Sequence, residues 1–281
     1  MAGVLGMDTP SVDEVEVAAE HPLYGAHLKV WWCRHELERM ERESGTHRDA
    51  GPIRIRSEPH ADGRGEEWFV VVRAPVPLEI GRIAADAVHN LRSALDHLAV
   101  ALAVANGADL DATRASFPIA SNYWEFHRHA PPCSPSTGHV APSGKHAIRD
   151  LSELAQTFVE GKQMHERWDK SAHLFELRYL DNRDKHRILN PAYIQPTAYF
   201  NMVGLEIEWD HHPPGSALVD GTHLASVRFA PDNPGMKMQT PLVAAISVGR
   251  STGGFIPLDE LGLYASTVRE IIDEAQAAFF P

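Results

Sequence analysis

The sequence predicts one α+β domain: helices and an N-terminal β-hairpin, then a C-terminal antiparallel sheet and a closing C-terminal helix. Three observations predict it. An apolar recurrence at three and four residues runs from Leu78 to Asn106. Alternation of apolar and polar residues, the period of a half-buried strand, occurs within 52–73 and again after residue 204. No stretch between them has the composition of a linker, so 21–281 is read as a single domain behind a flexible acidic arm at 1–20.

Each element has its own reason. From Leu23 to about Glu43, Leu23, Ala26, Val30, Cys33, Leu37 and Met40 mark one helical face, and Gly45 is the expected stop. PIRIRS (52–57) and EWFVVVR (67–73) read as strands, with the turn-rich PHADGRGE between them as a long hairpin loop. PVP at 75–77 introduces the helix 78–106, and Asn106-Gly107 closes it. Phe117-Pro118-Ile119 reads as a short buried extended piece. The Pro/Ser/Gly run 130–144 has no means of forming a core, so a long loop is expected there. Helical patterning returns at 147–168 and at 171–189, where Asn190-Pro191 ends it. Leu205, Ile207 and Trp209, then Val227 and Phe229, alternate as strand residues do, and PLVAAISVG (241–249) is a compact apolar strand. An amphipathic helix over about 258–279 closes the chain.

Composition bounds the function. At 281 residues, with 43% apolar and 23% charged residues, the chain is long enough for a core and is neither disordered nor collagen-like. Its longest apolar runs fall well short of the roughly 18 residues a membrane span needs. The acidic opening segment lacks a basic n-region, so no secretory signal is expected. The formal charge of −12 makes the chain a poor general binder of nucleic-acid backbone or anionic membrane. Seventeen histidines let that charge change sign on acidification. The two cysteines, Cys33 and Cys133, fit no zinc spacing and suggest a reducing cytoplasm. The partner is left open, and a homo-oligomer is permitted.

Two polar stretches carry the candidate chemistry. The first is Asp86, His89, Asn90, Arg92, Ser93, Asp96 and His97, gathered in an arc of about 160° on the helix 78–106 at about 100° per residue. It runs into LAVALAVA (98–105), which is apolar all round and so expected to be buried on every side. Charges beside a buried turn must be paired or coordinated. The second stretch, Arg178 to Arg187, holds Asp181, Asp184, Lys185, His186 and Arg187, with i,i+4 and i,i+3 pairs. Each stretch reads either as a structural network or as a site.

HNLRSALDHLA (89–99), FPI (117–119) and DNRDKHR (181–187), in this order, resemble a group of uncharacterised bacterial proteins. The resemblance covers roughly 70–190 and implies that the two polar stretches belong together; it implies no activity. Arg92 and His97 also fit the Arg-x4-6-His pattern of HEPN ribonucleases. That resemblance implies metal-independent RNA cleavage, often across a dimer, with His97 as general base and Arg92 as phosphate clamp. An unbroken helix sets the two about 140° apart, so convergence requires a helix start or bend between them.

Metal ligation is not expected, because Asp86-x-x-His89 lacks the paired spacing of a strong motif. His127-x-His129 and His211-His212 read as loop residues, and GRSTGG (249–254) reads as a plain turn without the Walker order. No cofactor is implied. The expectation is therefore a cytoplasmic protein with a polar cleft between the helices 78–106 and 171–189. His89, Arg92, Asp96 and His97 are its candidate catalytic residues, and Asn90, Asp181, Asp184, Lys185, His186 and Arg187 its candidate ligand-binding residues. The cleft binds or hydrolyses a phosphate-containing ligand. The alternatives are a scaffold in which the network is structural, and an HEPN-like ribonuclease.

Overall fold

Nine stretches of the chain are described by the computed structural model: 17–60, 63–127, 143–166, 168–186, 192–194, 205–209, 217–229, 245–249 and 255–281. Residues 1–16 of the arm, residues 128–142 with most of the Pro/Ser/Gly run, Arg187, His211-His212 and most of GRSTGG lie outside the described residues.

The longest apolar recurrence forms the central helix. We number helices and strands in chain order: α1 is Tyr24–Asp49 and α2 is Leu78–Ala105. Pro77 precedes α2, and Asn106 and Gly107 follow it. Ile80, Ile83, Leu91, Leu95 and Leu98 of α2 are fully buried. Its last turn surfaces, with Val104 40% exposed, so LAVALAVA is not buried on every side.

Helix α1 runs past Gly45 to Asp49, one turn beyond the expected stop. A mid-helix glycine costs only about 0.5–1 kcal/mol, and burial of Met40 and Ser44 carries the helix through it. The chain turns at Gly51 instead, at φ +63°, a conformation that favours glycine.

Strands β1 (Ile53–Pro59) and β2 (Gly65–Val72) form the expected antiparallel hairpin, with Ile53 opposite Val72 and Ser57 opposite Trp68. The later strands are β3 (Ala192–Ile194), β4 (Leu205–Trp209), β5 (His223–Phe229), β6 (Ala245–Gly249) and β7 (Phe255–Pro257). One four-stranded sheet has the order β1-β2-β5-β4, and a second has β3-β6-β7; every paired neighbour is antiparallel. The fold is α+β, but the hairpin is part of the later sheet. An unpaired edge on β2 would expose a row of backbone donors and acceptors, and β5 covers it.

The remaining helices are α3 (Tyr123–His127), α4 (Gly144–Ala147), α5 (Glu153–Glu160), α6 (Ser171–His186) and α7 (Leu261–Phe279). The helix expected over 147–168 is divided. Ser152 caps α5 by accepting the Ala155 N–H, Gly161 ends it, and a separate 3-10 turn covers Met164–Glu166. Helices α1, α6 and α7 pack against α2, and their apolar faces make one core. Among the described residues no helix is long and apolar enough to cross a membrane.

Candidate functional site

The FPI segment has no regular structure, so its backbone groups need partners from elsewhere. Side chains supply them. Asp96 Oδ1 accepts the Phe117 N–H at 2.9 Å. Gln163 is 1% exposed; its Oε1 accepts the Ala120 N–H at 2.8 Å and its Nε2 donates to the Pro118 carbonyl at 2.9 Å. Arg178 Nη1 donates to the Ile119 carbonyl at 2.5 Å and pairs with Glu125 Oε1 at 2.6 Å. Glu125 in turn accepts the Ser121 N–H and hydroxyl at 2.7 and 2.8 Å.

This braced segment forms one wall of a cleft of about 1170 Å³. Arg92 of α2, Trp124 and Glu125 of α3, and Arg178, Asp181, Asn182 and Lys185 of α6 also line it. The four α6 residues stand at i, i+3, i+4 and i+7, which places them on one stripe of the helix.

The helical period also sorts the first polar stretch. His89, Arg92 and Asp96 lie within about 60° of one another, whereas Asn90 and His97 lie about 80–100° from His89. The first group faces α6 and the braced segment. Arg92 Nη2 donates to Asp96 Oδ1 at 2.9 Å, and His89 Nδ1 lies 3.5 Å from Asp181 Oδ1. The second group faces α1. Asn90 Oδ1 accepts from Lys29 Nζ at 3.3 Å, and a Cβ built on Gly25 would lie 2.8 Å from His97 Nδ1. His97 and Asn90 are therefore not brought into the cleft. Because α2 is unbroken from Leu78 to Ala105, Arg92 and His97 do not converge within one chain.

The two polar stretches do meet. Asp181, 3% exposed, accepts from Lys185 Nζ at 2.6 Å and faces His89. Asp184 sits beside Asp181, Asp86, His89 and Lys185. Asp86 itself pairs with Arg82 on the surface of α2. The His186 side chain and Arg187 lie outside the described residues.

Burial raises the Asp96 carboxyl above its ordinary pKa, against the opposing pull of Arg92 and the Phe117 N–H. Burial likewise raises Asp184, assisted by Asp181 and Asp86. Burial alone would raise Glu125, but the Ser121 donors and Arg178 together hold it below the usual glutamate range. Burial and the nearby Lys29 ammonium lower the His97 imidazole.

Sequence reasoning missed Gln163, Glu125 and Trp124. Each acts across a long sequence separation or from a five-residue helix, where no periodic signal exists. The i, i+3, i+7 stripe of Arg178, Asp181 and Lys185 was readable and marks the lined face of α6. Among the described residues no group of three His, Cys, Asp or Glu side chains is placed to hold a metal ion. Comparison with protein-family models, curated proteins and solved structures finds no match to this chain.

Proposed function

We propose that the cleft between α2 and α6 binds a phosphate-containing ligand through Arg92, Arg178 and Lys185. One observation carries the reading. Arg92 lines the cleft, and its Nη1 is buried with no hydrogen-bond partner among the described residues. A buried donor without an acceptor costs about 1–3 kcal/mol, more when charged, and an anionic oxygen removes that cost. Guanidinium forks match phosphate oxygens in bidentate geometry. Charge supports the same ligand. The three cations outnumber the carboxylates of Asp181 and Glu125 in the described lining, on a chain whose formal charge is −12.

The reading is binding rather than turnover. His89 and His97, the histidines expected to act as base, are both outside the described lining of the cleft, so the proposal is confined to binding. A cytoplasmic setting suits a chain whose Cys33 is a buried, free thiol.

A scaffold role is the second reading, favoured by Asp96. Its Oδ1 accepts both Arg92 Nη2 and the Phe117 N–H, so the network also holds the FPI segment. Calorimetric titration with pyrophosphate separates the two. Wild type should bind, Arg92→Gln should bind at least about tenfold more weakly, a loss of about 1.4 kcal/mol, and Arg82→Gln should match wild type. No binding at millimolar pyrophosphate, or unchanged binding by Arg92→Gln, overturns the ligand reading. A lowered melting temperature without any binding leaves the scaffold.

A further inference from the structure

We infer that the ligand carries an aromatic ring as well as a phosphate, a mononucleotide being the class that fits, and that Trp124 is the platform on which the ring stacks. The inference rests on the phosphate reading of the same cleft. Trp124 is 76% exposed, the most exposed of the large apolar side chains among the described residues, and it lines the cleft. An indole left in water has apolar faces to cover, and the faces of nucleobases suit it.

The indole is carried on a pinned element. Phe126 is fully buried beneath α3. The Asn122 side chain accepts the Glu125 N–H at 2.9 Å, and Glu125 is tied to Arg178. His127 is tied to Glu160 at 2.6 Å. Tyr123 meets Trp124 at 5.9 Å with the rings 87° apart, a T-shaped contact that covers at most one indole face. The platform is thus carried on a fixed helix, and among the described residues its other face is uncovered.

The cleft brings this face together with the cations. Arg178, which pairs with Glu125, and Trp124 line the same cleft. Asn182 lines the same space and is exposed, and its amide offers both donor and acceptor to a ring edge. The cleft, at about 1170 Å³, is far larger than a lone phosphate requires; pockets of roughly 300–1,000 Å³ enclose ligands many times that size. The net charge of −12 disfavours a polynucleotide and favours the single unit.

The test is calorimetric titration of the full chain with pyrophosphate, ribose 5-phosphate, adenosine monophosphate, uridine monophosphate and a ten-nucleotide RNA. At least one mononucleotide should bind about tenfold or more tightly than ribose 5-phosphate, the gain expected from one stacked base. Trp124→Ala should erase that advantage, leave ribose 5-phosphate within twofold of wild type, and melt within about 1 °C of it, since the side chain is exposed. Trp124→Phe should retain most of the advantage. Equal binding of nucleotide and sugar phosphate, or an advantage that survives Trp124→Ala, overturns this inference and leaves the phosphate reading standing. Tighter binding of the RNA than of either mononucleotide overturns the single-unit assignment. Failure of every ligand, pyrophosphate included, overturns both.

Discussion

Replacing Gln163 tests whether the cleft wall is held as described. The side chain is 1% exposed and makes three hydrogen bonds: from the Ala120 N–H at 2.8 Å, to the Pro118 carbonyl at 2.9 Å and to the Val159 carbonyl at 3.0 Å. Gln163→Leu keeps the volume and removes all three. The Val159 carbonyl still accepts the Lys162 N–H at 3.2 Å, so two groups are stranded, the Ala120 N–H and the Pro118 carbonyl. At about 1–3 kcal/mol for each stranded group, the cost is about 2–6 kcal/mol. A chain of this length loses roughly 2–3 °C of melting temperature per kcal/mol, so a drop of about 4–18 °C is expected.

Gln163→Glu sharpens the test. One carboxylate oxygen still accepts from Ala120, but the other now faces two carbonyl oxygens where a donor stood. Only the protonated acid restores a donor, so the folded-state pKa of Glu at this position must rise above its ordinary value of about 4.3. Stability is then greatest below that value and is lost as pH rises through the raised one. Melts by circular dichroism at pH 4.5 and pH 7 should show the Glu variant nearer wild type at the lower pH, and the Leu variant displaced alike at both. A Leu variant melting within about 1 °C of wild type, or a Glu variant indifferent to pH, would refute the bracing described for Pro118–Ala120.

Two further outcomes follow from the groups around the cleft. Asp96 has a raised pKa in the fold, so its ionisation costs stability as pH rises from its ordinary value of 3.8 through the raised one; Asp96→Asn removes that cost, and its melting temperature relative to wild type should improve between pH 3 and pH 7, a relative decline being the contrary result. Burial pushes the Cys33 thiol far up, so in a Cys133→Ser variant Cys33 should resist an aromatic disulfide reagent until denaturant is added, and rapid labelling of the native protein would show that α1 does not bury it.

What was legible in the sequence is what has a period. The helix 78–106 matches α2 to within a residue, because fifteen of its residues are buried along one broad face and that face repeats every three or four positions. The hairpin was equally plain, since Ile53 and Ile55 alternate with arginines and the partner strand is rich in valine. Pairing of β2 with β5 was not legible: the two strands are about 160 positions apart, and alternation states that a strand has an inner face without stating its neighbour. The division of 147–168 turned on capping by Ser152, a local bond that competes with a weak helical pattern. At the site, the residues of the first polar stretch were found but treated as one surface. The 100° step separates them: Asn90 and His97 share a stripe toward α1, while His89, Arg92 and Asp96 share another.

That division also bears on how a structural network and the proposed binding site can share the same residues. Segment 116–121 cannot satisfy its own backbone, so Asp96, Gln163, Arg178 and Glu125 are committed to it. Each of these side chains is fixed by the bond it makes, and a fixed wall is what a ligand site needs, because groups already in place lose little freedom on binding. Asp96 engages only one terminal nitrogen of Arg92, at 2.9 Å, and leaves Nη1 without an acceptor. A purely structural pair would gain by satisfying both nitrogens, and the carboxylate's second oxygen is the obvious partner. Instead Oδ1 is shared between Arg92 and Phe117, which aligns the guanidinium along the wall. On the proposed reading, scaffold and site are successive consequences of one arrangement: Asp96 holds the wall and orients Arg92, and the nitrogen it does not engage would meet a ligand's oxygen.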